Sequence, residues 1–183
     1  MSGGVAVLVV CEGNLCRSPL AERLLRLRTK GSDVRVTSAG VNGANGQPMD
    51  ELAADELVRL GGNPEGFEAR RLTGTMLRDA DLVLTATRAI RSQVVAMSPA
   101  VLRRSFTLLE LAAMLEDPPW PEPDGSIGGL EVTLARATDW RGSVGVHGDD
   151  LDLPDPIGRS AKVHRHVADL IDHATEVIAT RLL

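Results

Sequence analysis

The feature that most constrains this 183-residue chain is a strand, loop and helix pattern near its N-terminus. An apolar run, Val5 to Val10, leads into a short loop, and an amphipathic segment, Leu20 to Leu27, leads out of it. The run is rich in β-branched residues, which is typical of a parallel strand buried on both faces. Free backbone N–H groups and the positive end of the helix dipole would both point into the loop. The pattern therefore predicts an anion-binding loop at the carboxyl end of the first strand.

Two side chains frame this loop, because Cys11 opens it and Arg17 closes it. Helix N-termini and nearby cations make a thiol a better nucleophile, and arginine can also bind two oxygens of one phosphate. Ser18 lies where its hydroxyl can reach the sulfur, with helix capping as the alternative role. Gly13 permits a turn that a Cβ would hinder, and Asn14 tolerates positive φ. We therefore predict that Cys11 attacks phosphorus and forms a phosphocysteine intermediate.

These residues resemble the signature of a known family. The run Cys11-Glu12-Gly13-Asn14-Leu15-Cys16-Arg17-Ser18-Pro19 is similar to that of the low-molecular-weight protein tyrosine phosphatases. Thr37-Ser38-Ala39-Gly40 resembles the segment that follows the second strand of the family, and Asp155-Pro156 resembles its general-acid loop. The resemblance extends over about Val5 to Leu183, except for a stretch near 117–150 that looks inserted.

The resemblance implies a fold and an activity. The fold would be an α/β three-layer sandwich, flavodoxin-like, with a four-stranded parallel sheet, and ligands in such sheets bind beyond the carboxyl ends of the strands. The activity would be cysteine-dependent hydrolysis of phosphate monoesters, in particular by a protein tyrosine phosphatase, with no cofactor and no metal. We expect residues 1–183 to form a single phosphatase domain with a loop insertion at about 117–150. Its substrates would be phosphorylated proteins or small phosphate esters.

The periodicity of the sequence gives a set of elements that agrees with this fold. The predicted strands are Val5–Val10, Val34–Ser38, Asp81–Thr85 and Arg104–Thr107. The predicted helices are Leu20–Arg28, Asp50–Leu60, Arg88–Met97, Leu108–Leu115 and a last helix from Gly158 onward, with a short one at Leu130–Ala137 inside the insertion. The insertion itself is either a surface loop or a lid beside the active site.

The resemblance also assigns roles to residues. Cys11 would be the nucleophile, Arg17 the phosphate clamp and Asp155 the general acid that protonates the leaving group. The candidate phosphate-binding loop comprises Glu12, Gly13, Asn14, Leu15, Cys16, Arg17 and Ser18. Asp149, Asp150 and Asp152 crowd the same stretch as Asp155 and are also candidates for the acid. The first two are better explained as part of a solvated acidic loop.

Three residues are predicted to line the substrate pocket: Glu12, Leu15 and Ile157. The family commonly has an aromatic residue directly after Asp-Pro, where this chain has Ile157, and the chain contains no tyrosine. Leu15 is bulky and is similar to the tyrosine-directed members, whereas the arginine-directed members tend to have threonine. Glu12 would repel a dianion or favour a basic residue near the phosphosite. Phosphatase activity is therefore better supported than a preference for tyrosine.

Cys16 is a candidate redox partner. In the family a neighbouring cysteine can form a disulfide with the nucleophile, so the resemblance implies oxidative inactivation through Cys11–Cys16 that dithiothreitol would reverse. The alternative is that Cys16 simply packs within the loop. Zinc binding by these two cysteines is disfavoured, because their spacing is unusual and no second pair of ligands follows.

Composition argues against several other classes. A formal net charge of −5 without a broad basic stripe disfavours a nucleic-acid binder. No apolar run approaches the ~18 residues of a membrane span, and the N-terminus lacks a basic signal segment. We therefore expect a cytoplasmic protein with reduced thiols and no membrane or nucleic-acid partner; its oligomeric state is not predicted.

Two rival functions are open at this stage. Arsenate reductases share this fold and loop, and one recycled by a small thiol fits the few cysteines. A non-catalytic phosphoprotein-binding module is the other. Three histidines, His164, His166 and His173, lie on or beside the last helix and are expected to be solvated or capping residues rather than ligands.

Overall fold

A parallel sheet forms the centre of the molecule in the computed structural model, which describes residues 4–116, 120, 123–124, 126–141 and 151–183. The strands are β1 (Val5–Cys11), β2 (Val34–Gly40), β3 (Leu82–Thr85) and β4 (Ser105–Thr107). The helices are α1 (Arg17–Arg28), α2 (Glu51–Arg59), α3 (Gly74–Arg78), α4 (Arg88–Met97), a 3-10 helix (Pro99–Arg104), α5 (Leu108–Glu116), α6 (Ile127–Trp140) and α7 (Ala161–Arg181).

The order of the strands, β2-β1-β3-β4, places β1 between β2 and β3. All pairs are parallel, with Val7 beside Val36 on one side and beside Leu82 on the other. The chain runs from β1 to β2 on one side and then crosses to β3 on the other. A doubly wound sheet opens a crevice at such a switch point, at the carboxyl end of β1. The predicted flavodoxin-like fold is confirmed.

Successive residues of β1 point to opposite faces of the sheet, and both faces are covered by helices. Val5, Val7 and Val9 pack into a core formed with α1, α2, α5 and α7. Leu8 and Val10 pack into a second core formed with α3 and α4. Every residue of β1 is buried, which explains why the strand reads as a continuous apolar run rather than an alternating one.

The predicted elements are present, with one important difference at α1. This helix begins at Arg17 rather than Leu20, so Arg17 and Ser18 lie in its first turn. Pro19 is tolerated there because the N–H groups of a first turn have no helical partner. The short α3 and the 3-10 helix were not predicted, since neither is long enough to show an apolar period.

Helix α6 lies within the stretch that was expected to be an inserted loop, and it is longer than the predicted Leu130–Ala137. Ser126 caps it by accepting a hydrogen bond from the Gly129 N–H. Leu130, Leu134 and Ala137 are buried in the main core. The described part of the stretch is therefore a docked helix rather than a surface loop.

The position of α6 also shows whether this part of the inserted stretch forms a lid beside the active site. Glu131 and Leu134 line a pocket with Asp81 and Arg104, which precede β3 and β4. At the end of α6, Arg141 donates to the carbonyl of Ser105, the first residue of β4. These contacts lie at the amino ends of the strands, opposite to the end where Cys11 is found. The described part of the segment does not cover that end.

None of the helices in the described ranges combines the length and the apolar character needed to cross a bilayer.

We predict that α6 contributes to global stability. Leu134→Ala should lower the free energy of unfolding by about 3 kcal/mol, because it leaves a cavity in the core. Val132→Ala, on the same helix but 52% exposed, should change it by less than about 0.5 kcal/mol. Urea unfolding monitored by circular dichroism measures both. Equal, small effects would show that α6 does not belong to the folded core.

Candidate functional site

The loop after β1 turns sharply into α1, and one residue accounts for the turn. Asn14 has φ of 57°, which places it in the left-handed region. The expectation that Gly13 also supplies a special backbone conformation is wrong. Gly13 has no positive φ, and a Cβ there would meet only the Leu15 side chain at 3.8 Å.

The side chain of Asn14 is fully buried and binds three segments of the chain. Its amide nitrogen donates to the hydroxyls of Ser18, at 2.9 Å, and Ser38, at 2.8 Å. Its carbonyl oxygen accepts from the Arg70 backbone N–H at 2.9 Å. The cost of a left-handed conformation at a non-glycine residue is thus offset by three buried hydrogen bonds.

Ser18 contacts the candidate nucleophile directly. Its Oγ lies 2.9 Å from the Sγ of Cys11. Since Asn14 already donates to this oxygen, the hydroxyl proton is available for the sulfur, with the carbonyl of Ala39 as a longer acceptor at 3.5 Å. Capping of α1 is not its role, because Cys16 is the N-cap residue and makes no side-chain cap bond. A hydroxyl in this position can donate a hydrogen bond to the sulfur.

The end of β2 supports the loop from outside, and the sequence alone assigned no roles there. Ser38 receives the Asn14 bond and donates in turn to the buried carboxylate of Glu22. The guanidinium of Arg70 donates to the Ser38 carbonyl at 2.7 Å. The Thr-Ser-Ala-Gly segment could have indicated from the sequence that Ser38 belongs to the site. Glu22 and Arg70 lie outside any motif, so nothing in the sequence indicated the same for them.

Gly40 is the glycine that the site requires. A Cβ at Gly40 would lie 2.5 Å from the carbonyl oxygen of Glu12 and 2.8 Å from the backbone nitrogen of Asn14. Backbone atoms cannot move away as a flexible side chain can. The absence of a side chain at Gly40 therefore lets the phosphate loop lie against β2.

Arg17 joins the phosphate loop to the acid loop. Its side chain is only 7% exposed; Nη1 donates to the Leu153 carbonyl at 3.3 Å, and Nη2 lies 3.1 Å from Oδ1 of Asp155. Asp155 is 54% exposed and stands at the mouth of the site. Two residues separated by most of the chain are thus brought into contact, as a clamp and an acid require.

The acid loop is anchored by the segment just before it. The Leu153 N–H donates to the carbonyl of Ala86 after β3, and the Thr107 hydroxyl, at the end of β4, donates to the carbonyl of Leu151. Asp152 accepts hydrogen bonds from the backbone N–H and the guanidinium of Arg88. This engagement makes Asp152 a poor candidate for the acid. Asp149 and Asp150 lie outside the described residues.

One cleft of about 500 Å³ brings the predicted residues together. Its lining residues are Cys11, Glu12, Gly13, Leu15, Cys16, Arg17, Asp155 and Ile157. Leu15 and Ile157, the latter 47% exposed, give it two apolar walls. The carboxylate of Glu12 accepts a hydrogen bond from the Asn42 side chain at 2.6 Å.

Cys16 and Cys11 are both buried free thiols that line this cleft. Burial raises the pKa of the Cys16 thiol well above its usual range, and the nearby Asp50 acts in the same direction. A thiol of this kind is a weak nucleophile. The disulfide between the two cysteines stays a prediction.

The three histidines have different environments. His166 is exposed, and His173 is exposed and lies 2.6 Å from Glu116. His164 is only 3% exposed, so it is not a solvated histidine. Its Nδ1 lies 3.6 Å from Oδ1 of Asp50.

We predict that Gly40→Ala disables the site without removing any reactive group. The new Cβ should displace the phosphate loop by a fraction of an ångström or more, and displacements of about 1 Å can cost roughly 100-fold in rate. Gly13→Ala, which meets nothing closer than 3.8 Å, should lose much less. Steady-state hydrolysis of p-nitrophenyl phosphate measures both. Equal losses would contradict the steric explanation.

Comparison with known proteins places this site in a family. The family model described as low molecular weight phosphotyrosine protein phosphatase matches residues 6–124. The chain is 44% identical over 118 residues to the low molecular weight protein-tyrosine-phosphatase Etp of Escherichia coli (strain K12), covering 64% of this chain and 76% of Etp. It is 36% identical over 114 residues to the probable phosphatase EpsP of Ralstonia solanacearum, covering 62% of this chain and 77% of EpsP.

Solved structures agree on the fold. A low molecular weight protein tyrosine phosphatase from T. tengcongensis matches with a TM-score of 0.71 at 26% identity, covering 95% of this chain and 97% of that one. The YwlE arginine phosphatase from Geobacillus stearothermophilus matches with a TM-score of 0.72 at 24% identity, covering 96% and 90%. With a family model that matches most of its length and a site that has the geometry described above, this chain belongs to the low molecular weight phosphotyrosine protein phosphatase family.

Proposed function

We propose that this protein hydrolyses phosphate monoesters through a phosphocysteine on Cys11, and that phosphotyrosine in proteins is its substrate class. The observation that carries the proposal is the common cleft of Cys11, Arg17 and Asp155 at the carboxyl end of β1. A thiol, a buried guanidinium and an exposed carboxyl group are the three functions that the reaction needs.

Binding comes first. The loop between Cys11 and α1 offers backbone N–H groups and the positive end of a helix, and Arg17 adds a planar pair of donors. In the free protein one of these donors contacts Asp155. An incoming phosphate would compete for that donor, which would release the carboxyl group toward the ester oxygen of the leaving group.

Chemistry then proceeds in two displacements. The Cys11 thiolate attacks phosphorus, an S–P bond forms, and the ester P–O bond breaks while Asp155, in its protonated form, gives its proton to the leaving oxygen. Asp155 next takes a proton from water, whose oxygen attacks phosphorus. The S–P bond breaks, and inorganic phosphate leaves the restored thiolate.

Ser18 and Asn14 would act in both displacements. The hydroxyl of Ser18 is 2.9 Å from the sulfur and is oriented by the Asn14 amide. A preorganised donor stabilises the thiolate as nucleophile in the first displacement and as leaving group in the second. These two residues are therefore proposed to position and stabilise the nucleophile.

The rival functions are less favoured. Etp and EpsP are named as tyrosine phosphatases, and neither name refers to arsenate. A binding module would need neither a thiol beside a hydroxyl donor nor an acid at the mouth of the cleft. We also propose a cytoplasmic location, with no nucleic-acid partner, since both cysteines are free thiols and the net charge is −5.

Preference for tyrosine over arginine rests on the apolar walls of the cleft. Leu15 and Ile157 offer flat contact to an aromatic ring, whereas the charged guanidinium of phosphoarginine would lose hydration against them. The match to YwlE concerns the fold alone. Both walls are aliphatic, so the ring would be held by packing rather than by stacking.

We predict that the loss caused by Asp155→Asn depends on the leaving group. With phenyl phosphate, whose leaving oxygen needs a proton, kcat/KM should fall by about 100-fold or more, because this constant reports the first displacement and not the later hydrolysis of the phosphocysteine. With p-nitrophenyl phosphate, whose leaving group is stable as an anion, the loss should be much smaller. Cys11→Ser should be inactive on both substrates, in reductant and without metal.

The matched control is Asp152→Asn, because Asp152 lies three residues away and is bound to Arg88. It should reduce both rates by a similar factor, if at all, since it acts only through the position of the loop. A leaving-group effect that appears in Asp152→Asn and not in Asp155→Asn would assign the acid to Asp152. An active Cys11→Ser variant would contradict the phosphocysteine mechanism.

We predict that phosphotyrosine peptides are hydrolysed with a higher kcat/KM than phosphoarginine peptides of the same sequence. Leu15→Thr should lower the ratio of the phosphotyrosine kcat/KM to the phosphoarginine kcat/KM, because it removes one apolar wall and leaves the phosphate loop intact. Release of inorganic phosphate, measured at pH 7.5 over a few minutes, avoids spontaneous loss of phosphoarginine. A wild-type preference for phosphoarginine would contradict the tyrosine assignment and leave the cysteine mechanism standing.

A further inference from the structure

Three side chains beside the phosphate loop have no part in the proposed reaction, and they come from distant parts of the chain. Cys16 precedes α1, Asp50 precedes α2, and His164 lies in the first turn of α7. Their Sγ, carboxylate oxygen and ring nitrogen all lie within 4.8 Å of one another. In the part of the chain that the structure describes, this is the one group of three such residues that meets this distance.

Two members of this cluster are deeply buried. Cys16 is 4% exposed and His164 is 3% exposed. The Nδ1 of His164 lies 3.6 Å from Oδ1 of Asp50, which is longer than an ordinary hydrogen bond. An ion or a water molecule is the usual further partner of buried polar side chains that lie close together without reaching one another directly.

The donor set suits a metal ion of the zinc class. Thiolate, imidazole and carboxylate are the three ligand types that zinc prefers, and three protein ligands leave a fourth position for water. Around one zinc ion the ligand atoms lie roughly 3 to 4 Å apart, given a Zn–S distance of about 2.3 Å and a Zn–N distance of about 2.0 Å. The contact between Asp50 and His164 already has this spacing, and a small movement of the Cys16 side chain completes it.

Charge also favours a dication. A thiolate and a carboxylate together neutralise Zn²⁺, so the complex that forms in this largely buried place carries no net charge. Metal binding would displace the proton of the Cys16 thiol. No other group needs to change its charge.

We propose that Cys16, Asp50 and His164 form a binding site for a thiophilic divalent ion, typified by Zn²⁺, which inhibits the enzyme when it is occupied. The metal takes no part in the hydrolysis. Inhibition follows because Cys16 is a residue of the phosphate loop and is followed directly by Arg17. A metal that draws the Cys16 sulfur toward α2 and α7 moves the backbone that carries the clamp.

The test uses the full-length protein and Co²⁺ as a spectroscopic probe. Wild type, in a phosphine reductant, should bind one Co²⁺ with a thiolate charge-transfer band and the strong d–d bands of a four-coordinate ion. Cys11→Ser should keep both, because the remaining thiol is Cys16. Cys16→Ser should lose the charge-transfer band. Since this spectrum requires no turnover, it is independent of the proposed phosphatase reaction.

Inhibition provides the second measurement. His164→Asn should raise the Zn²⁺ concentration for half inhibition of p-nitrophenyl phosphate hydrolysis by more than about tenfold. His173→Asn is the matched control, since His173 is an exposed histidine of the same helix that pairs with Glu116, and it should leave inhibition unchanged. Circular dichroism verifies that His164→Asn folds, and Cys16→Ala replaces it if it does not.

Three outcomes would overturn the proposal. The first is the absence of a cobalt spectrum in wild type. The second is a charge-transfer band that persists in Cys16→Ser or disappears in Cys11→Ser, which would place the metal on the nucleophile. The third is full Zn²⁺ sensitivity in His164→Asn.

Discussion

The phosphate loop depends on one buried amide. Asn14 adopts a backbone conformation that is unfavourable for most residues, and its side chain compensates by binding α1, β2 and the segment that carries Arg70. The same amide sets the direction of the Ser18 hydroxyl toward Cys11. The turn of the loop and the environment of the sulfur therefore have a single origin. A change that preserved the turn without the amide would lose the orientation of the hydroxyl.

The second constraint is the contact between Arg17 and the acid loop. Arg17 is placed in the first turn of α1 by the early start of that helix, and from there it reaches both Leu153 and Asp155. The guanidinium thus connects the phosphate loop to the acid loop, which lie near opposite ends of the chain. A phosphate group entering the cleft meets donors already held in place, which lowers the entropic cost of binding.

The sequence was sufficient for the sheet and the major helices, because each depends on a local pattern. The residues of the cleft were predicted from two short motifs and their resemblance to the family. The apolar run of β1 and the Cys-x5-Arg spacing can be recognised without knowing which residues contact them in the fold. What could not be predicted depends on contacts across the fold. The need for glycine at Gly40 arises from the backbone of Glu12, and the burial of His164 arises from the approach of α7 to Asp50. The docking of α6 was missed as well, since the glycines and prolines around it indicated a loop.

The anchors before Asp155 have a consequence for how this family can change over evolutionary time. Leu151, Asp152 and Leu153 are bound, respectively, to the end of β4, the start of α4 and the end of β3. These attachments place the chain in register with the sheet immediately before the acid is reached. Changes in the length or structure of the preceding segment therefore leave the position of the acid in the active site unchanged. Such a chain can gain or lose a helix such as α6 upstream of its acid and still deliver that acid to the same point above the nucleophile.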